Sequence, residues 1–299
     1  MKLKQFNAVV EIRTKIISMG TFLSATLFAV VDKGQWSTYK FVLMILAVLC
    51  VDMGTTGFNS YFDYVNGTDN KKFNKEESKV LVHEKVDPKL ALVVSSLLFL
   101  CAAFLGFIIA LKTSLYLIVV GAISMSIGYF YTGGPLPISR TPFGELFAGG
   151  FLGTILFLIS YYVQTLSFEL KTIVVSLPHL IVIGMILTVN NTCDRKSDVI
   201  AGRKTLAILL SEKAIIKVMA LQLHTTFLLA IIYSLINLIP RTLLFFMPIA
   251  YILSLMIFIN MKKAGFSLET KDSSMKEISK IFLLYCLAFS LAMVVTLLI

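Results

Sequence analysis

Two polar stretches hold the residues whose types and spacing suit chemistry: "NSYFDYVNGTD" at 59–69 and "NNTCDRKSD" at 190–198. In the first, Asn59 and Asp63 stand four apart and share one face of a helix. Asp69 comes six later, after Gly67, which lets the chain turn back on itself. In the second, Asn190, Asp194 and Asp198 fall at successive intervals of four, again on one face, and Gly202 is placed to end that helix. Any one of these residues has an ordinary explanation at a helix cap, but matched sets of them are harder to assign to capping. Carboxylates gathered in this way repel one another unless a cation neutralises them. Oxygen ligands are abundant in both sets, which selects a hard ion such as Mg²⁺. That ion typically takes one or two carboxylates, waters and the phosphates of a substrate. Lys71, Lys72, Arg195, Arg203 and Lys204 lie beside the two sets. They suit a phosphate-bearing ligand, or else simply mark the side of a membrane on which they lie.

The elements that must position these sets are membrane helices. Of 299 residues, 57% are hydrophobic and 15% charged, against about a quarter charged in an average soluble domain. Apolar runs long enough to span a bilayer recur along the chain, at 16–32, 40–59, 89–111, 114–131, 142–163, 171–193, 214–236, 241–260 and 280–299. The first is clipped by Asp32. A cleaved signal peptide competes for that segment, but no small-residue cleavage site follows it. The expected fold class is therefore all-α, a polytopic membrane bundle of about nine transmembrane helices in a single domain over 1–299. Alternate sides of the nine spans receive 22 and 5 of the 27 Lys and Arg, which places the N-terminus in the cytoplasm and the C-terminus outside. The net charge of +10 is then topology, and no nucleic-acid partner is expected. Both acidic sets follow even-numbered spans, the second and the sixth, so both face the cytoplasm. Their separation by four spans hints at an internal duplication. The four cysteines and three histidines form no metal-like constellation, and Cys193, beside the second set, reads as packing.

A third stretch, "YFYTGGPLPISRTPFGELFAG" at 129–149, lies on the same side, and its glycines and prolines interrupt helix between spans four and five. Tyr131 would stand near the mouth of the bundle. Glu145 is either a helix-start residue favoured by the dipole or a group that faces a substrate. Asp52, seven residues before Asn59 on the same face, is expected to line the bundle.

Together these stretches resemble the UbiA-type superfamily of intramembrane aromatic prenyltransferases, which has nine helices and Asp-rich motifs after helices two and six. The sequence "NSYFDYVNGTD" is similar to the longer first motif of the menaquinone branch, "DRKSD" to the second motif, and "NNTCDRKSDVIAGRKTLAILL" and "YTGGPLPI…GELFAG" to 1,4-dihydroxy-2-naphthoate polyprenyltransferases. The resemblance covers essentially the whole chain. It implies a multi-pass enzyme of the plasma membrane, its site facing the cytoplasm, whose partners are a polyprenyl diphosphate, an aromatic acid acceptor and the lipid bilayer. The implied reaction is Mg²⁺-dependent transfer of the polyprenyl group to 1,4-dihydroxy-2-naphthoate with loss of CO₂. Carried over residue by residue, it implies metal ligation by Asn59, Asp63, Asp69, Asp194 and Asp198, and catalysis by Asp63, Asp194 and Tyr131. Substrate contacts fall to Asn190, Asn191, Lys71, Arg195, Lys204 and Glu145. Two departures stand out: Ser60 occupies a position where many relatives carry an acid, which removes one candidate oxygen ligand, and the connector "NKEESKVLVHEKVDPK" lacks the usual Gly- and Arg-containing pattern. A 4-hydroxybenzoate, homogentisate or haem acceptor, a secondary transporter and a non-catalytic scaffold are the other readings. A transporter places its polar groups mid-span, whereas here they gather at helix ends.

Overall fold

Apolar runs with capped ends become helices, and the polar residues between them turn the chain. The computed structural model describes residues 2–69, 79–84 and 86–299, and among these every regular element is helical. Helix α1 (Leu3–Val9) and a 3₁₀ turn (Ile12–Lys15) lead into α2 (Ile16–Lys33). Then come α3 (Thr38–Val65), the single turn α4 (Val80–His83), α5 (Pro88–Lys112) and α6 (Tyr116–Phe130). The fifth span joins α7 (Gly144–Ala148), a π-helical stretch (Gly149–Ile155) and α8 (Leu156–Thr165). Beyond it lie α9 (Leu170–Cys193), the short α10 (Arg195–Ile200) and α11 (Leu206–Leu209), then α12 (Glu212–Leu235), α13 (Leu243–Ala264) and α14 (Lys271–Leu298). Side chains of Ser37, Asp87 and Ser211 accept the first free amides of α3, α5 and α12, satisfying donors that helix starts leave open.

Among the described residues, eight helices are long and apolar enough to cross a membrane. The expected fourth span is the exception: α6 has 15 residues, a rise of about 22 Å against a hydrocarbon core of about 30 Å. It packs on α3 and α5 and buries none of its residues. Conversely, α3 has 28 residues and rises about 42 Å, so its last turns, with Asn59 and Asp63, overshoot the core. The last helix begins at Lys271 rather than near 280, because its first turns are too charged to read as an apolar run.

Three local features set the site. Helix α9 stops at Asp194, whose ψ of 0° breaks the rod before α10. The amides of Asp194 and Asp198 still donate to Asn190 and Asp194 at 3.0 and 2.9 Å, so the interval of four survives the break. Gly202, at φ +70°, then turns the chain back, as its position suggests. The fifth span presses on α9 through Gly149 and Gly153, where a Cβ would stand 2.3 Å from the Leu180 carbonyl oxygen and 2.5 Å from the Leu180 nitrogen. Small residues four apart let two backbones touch, and the π-helical widening occurs over that same stretch.

The third feature is the N-terminal segment, which runs antiparallel along the last half of α3. Ser60 donates to the Val9 carbonyl at 3.0 Å, Thr56 to the Val10 carbonyl at 2.7 Å, and Lys15 to Asp52 at 2.5 Å. Ser60 is buried against this segment, so the departure there concerns packing: an acid at 60 would meet a main-chain carbonyl. Asp52 also accepts from Ser18 at 2.5 Å, and Lys15 is 4% exposed. Breaking so deeply buried a pair costs on the order of 3–5 kcal/mol.

Replacing Gly149 with Ala should lower the thermal midpoint in detergent, since overpacking a close contact costs about 1–3 kcal/mol. Gly106→Ala, inside α5 and with no atom within 4 Å of the new methyl, should leave it unchanged or raise it, because Ala favours helix over Gly. Equal midpoints for the two variants would contradict the close approach of the π-helical stretch to α9.

Candidate active site

The ends of α3 and α9, with α10, place the two acidic sets at the mouth of one cavity of about 2040 Å³. Arg203, presented by the turn at Gly202, joins them. One guanidinium nitrogen reaches Asp63 at 3.0 Å and another reaches Asp198 at 3.2 Å. Lys271, from the first turn of α14, holds Asp194 at 2.7 Å. Lys79 lies 3.3 Å from Asp69 and 3.2 Å from Glu11, tying the first set to the N-terminal segment. Thr132 donates to the Asn59 side-chain oxygen at 2.7 Å, and Asn190 and Tyr131 also line the cavity.

Electrostatics follow from this crowding. Burial pushes the Asp198 carboxyl up to about 6, although Arg203 pulls the other way. Burial also opposes the Arg203 charge, but Asp63, Asp198 and Asp194 outweigh it and hold the guanidinium above its ordinary value. The Tyr131 hydroxyl is raised by burial first and by Glu145 second, which keeps it a hydrogen-bond donor at neutral pH.

Several expected residues take different places. Arg195 does not reach the cavity; its guanidinium donates to the Leu210 carbonyl at 2.9 Å and so ends α11. Lys204 is exposed and contributes only its main-chain amide, to the Arg140 carbonyl at 2.9 Å. The cations that do face the carboxylates are Arg203 and Lys271. The first was one of several basic neighbours in the sequence, and the second gave no signal because it opens a helix whose apolar part starts later. Glu145 is buried behind the cavity wall and accepts from the Asn191 side chain at 2.9 Å. It therefore orients Asn191, which lines the cavity, rather than facing a ligand itself. Lys71 lies outside the described residues.

Among the described residues, no three acidic, Cys or His side chains stand close enough together to hold a metal ion, because Arg203 and Lys271 sit between the carboxylates. The donor set nonetheless fits a hard divalent cation. Its ligands are all oxygens, and one buried oxygen of Asp198 has no hydrogen-bond partner, which leaves lone pairs available. Below this polar mouth the cavity turns apolar, between Met44 and Val48 of α3, Phe107 of α5, Ile118 of α6 and Ile155 and Ile159 of the fifth span. Phe147 and Phe151, also on its wall, stack at 6.2 Å with an interplanar angle of 4°. An arrangement of carboxylates and cations above an apolar chamber suits an amphiphile with an anionic head.

Removing Arg203 should leave Asp63 and Asp198 facing each other without a counter-charge. In chelator, Arg203→Gln should lose about 2 kcal/mol, less than the ~3–5 kcal/mol of a fully buried pair because Asp63 is 19% exposed. Millimolar Mg²⁺ should restore the thermal midpoint. Since Arg203 lowers the proton affinity that burial gives Asp198, the variant should take up that proton at higher pH, and the deficit should shrink as pH falls toward about 6. A midpoint that Mg²⁺ fails to raise would contradict a cation site here.

The UbiA prenyltransferase family matches residues 18–297 of this chain. Over 180 residues the chain is 37% identical to a 1,4-dihydroxy-2-naphthoate octaprenyltransferase of Bacillus subtilis, covering 60% of this chain and 58% of that protein. Over 193 residues it is 28% identical to the protein of the same name from Mycobacterium tuberculosis, covering 64% and 63%. The chain thus spans about six tenths of the length of these curated relatives. The fold is similar to that of a UbiA homolog from Archaeoglobus fulgidus bound to GPP and Mg²⁺. The TM-score is 0.68 at 12% identity, over 97% of this chain and 99% of that one.

Proposed function

The chain belongs to the UbiA prenyltransferase family, and we propose that it transfers a polyprenyl group from polyprenyl diphosphate to 1,4-dihydroxy-2-naphthoate, releasing diphosphate and CO₂ to give demethylmenaquinol. The observation that carries this reading is the meeting of both acidic sets through Arg203 above an apolar chamber of about 2040 Å³. The choice of acceptor is supported by the two relatives named for that substrate.

Asp63, Asp194 and Asp198, with Asn59 and Asp69 beside them, would hold Mg²⁺, which when bound neutralises charge growing on the leaving diphosphate. Arg203 and Lys271, which pair with Asp63 and Asp194 at this mouth, would donate hydrogen bonds to the diphosphate oxygens. The apolar wall below excludes water from the allylic carbon as its bond to oxygen breaks. The faces of Phe147 and Phe151 offer the electron-rich surface that such a cation favours. Tyr131 and Asn191 orient the acceptor, the first as a donor and the second through the carbonyl oxygen that remains once its amide is committed to Glu145. The prenyl tail leaves toward lipid past the short, unburied α6. The division of basic residues supports a plasma-membrane enzyme with this mouth in the cytoplasm.

The test is release of labelled CO₂ from carboxyl-labelled dihydroxynaphthoate by membranes supplied with Mg²⁺ and a polyprenyl diphosphate, with 4-hydroxybenzoate and homogentisate run in parallel. Label release with dihydroxynaphthoate is expected. No release, with efficient prenylation of another acceptor, would leave only the family and assign a different substrate.

A further inference from the structure

The cavity has a second arm. From the polar mouth it also runs between the N-terminal segment and α14, along Ile12, Arg13, Ile16 and Ile17 on one side and Met275 and Leu283 on the other. This arm differs in chemistry from the chamber behind α3 and α5, because its α14 side is largely charged: Asp272, Lys276, Glu277 and Lys280 line it as two ion pairs, while Arg13 stands opposite beside Ile12 and Ile16. Every other lysine and arginine on the cavity wall is matched to a carboxylate: Lys4, Lys79, Arg203, Lys271, Lys276 and Lys280. Among the described residues Arg13 is the cation on that wall with no such partner.

Its level in the bundle is fixed. Val9, Val10 and Lys15 bond to Ser60, Thr56 and Asp52 in turn, which pins residues 9–15 alongside the face of α3 that carries Asn59. Arg13 therefore belongs to a segment held beside the helix that carries the first acidic set, and it lines the same cavity as Arg203. On either side of it Ile12 and Ile16 are 43% and 37% exposed; Arg13 is exposed between them, and the neighbouring Glu11 is held by Lys79. A diphosphate, with several negative charges, is better met by the cluster of cations at the acidic sets. A flat aromatic acid, apolar over its rings and carrying one carboxylate, matches the N-terminal side of the second arm, where Ile12 and Ile16 flank a cation with no carboxylate partner among the described residues. The family match begins at residue 18, so this contact belongs to a part of the chain outside it.

We propose that the second arm, between the N-terminal segment and α14, is the docking site of the aromatic acid acceptor, and that Arg13 receives its carboxylate. This rests on the reading of the chain as a prenyltransferase that uses a carboxylated acceptor. Arg13 acts by binding and orienting. The chemistry stays at the mouth, where the ring of a docked acceptor reaches the allylic carbon, while the prenyl tail occupies the other arm.

Steady-state kinetics of the full chain in lipid nanodiscs test this, with dihydroxynaphthoate and the polyprenyl diphosphate varied separately. Arg13→Gln should raise the acceptor KM about tenfold or more, the loss expected for one charge-assisted contact, while the KM for prenyl diphosphate changes less than about twofold. Arg13→Lys should recover much of the loss, and Lys262→Gln, which removes an exposed charge away from the cavity, should behave as wild type. As competitive inhibitors, 2-naphthoate should outperform its carboxamide against wild type, and the preference should vanish in Arg13→Gln. An unchanged acceptor KM would overturn the proposal. So would a rise confined to the prenyl diphosphate KM, which would assign Arg13 to a phosphate of substrate or lipid. If wild type prenylates no carboxylated acceptor, the proposed function fails with it, and that result is visible before any variant is made.

Discussion

A guanidinium set between two carboxylates holds the mouth of this bundle together. Asp63 and Arg203 are separated by 140 residues, and the contact between them joins the end of the third helix to the turn after α10. Without a cation at that point, three or more carboxylates would be drawn together at the edge of a low-dielectric interior, where their repulsion is poorly screened. With it, the ends of α3, α9 and α14 converge, and Lys271 and Lys79 repeat the same solution for Asp194 and Asp69. The ion pairs also carry a functional implication. Under the proposed function, the same cations that neutralise the carboxylates would also meet the anionic head of the substrate.

The hydrophobic architecture follows from where that mouth must lie. Helix α3 is long enough to carry its acidic end past the hydrocarbon, and α9 is the most enclosed of the candidate spans. Gly149 and Gly153 draw the fifth span against α9, while α6, short and unburied, stands at the outer edge on α3 and α5. The result is a firm side made of α9, α12, α13 and α14, which share one continuous core, and a looser side that encloses an apolar space. The substrate proposed for this chain, with a long apolar tail, would use both: rigid support for its charged head and an apolar wall beside lipid.

Much of this was legible in the residues. An asparagine and two aspartates directly after an apolar run, repeated four spans later, mark a site whatever its fold, and the hydropathy pattern gives the spans. The parts that were not legible share a physical reason. Which of Arg195, Arg203 and Lys204 points inward depends on the break at Asp194 and the turn at Gly202, and a shift of one residue at that turn would exchange Arg203, which faces the carboxylates, for the exposed Lys204. Lys271 opens a helix whose charged first turns mask its start. Glu145 reads as a substrate contact until its burial behind Asn191 is seen. The N-terminal segment carries no motif, and its place beside α3 emerges only from three bonds to that helix.

Binding of Mn²⁺, counted by electron paramagnetic resonance on the purified protein with a non-hydrolysable prenyl thiodiphosphate present, tests most directly whether the two acidic stretches make one metal site. Wild type should bind Mn²⁺, and Asp63→Asn and Asp198→Asn should each weaken that binding at least about tenfold, as expected when a shared carboxylate ligand is lost. Full affinity retained in either variant would mean that the stretches act separately, and the joined site described here would be wrong.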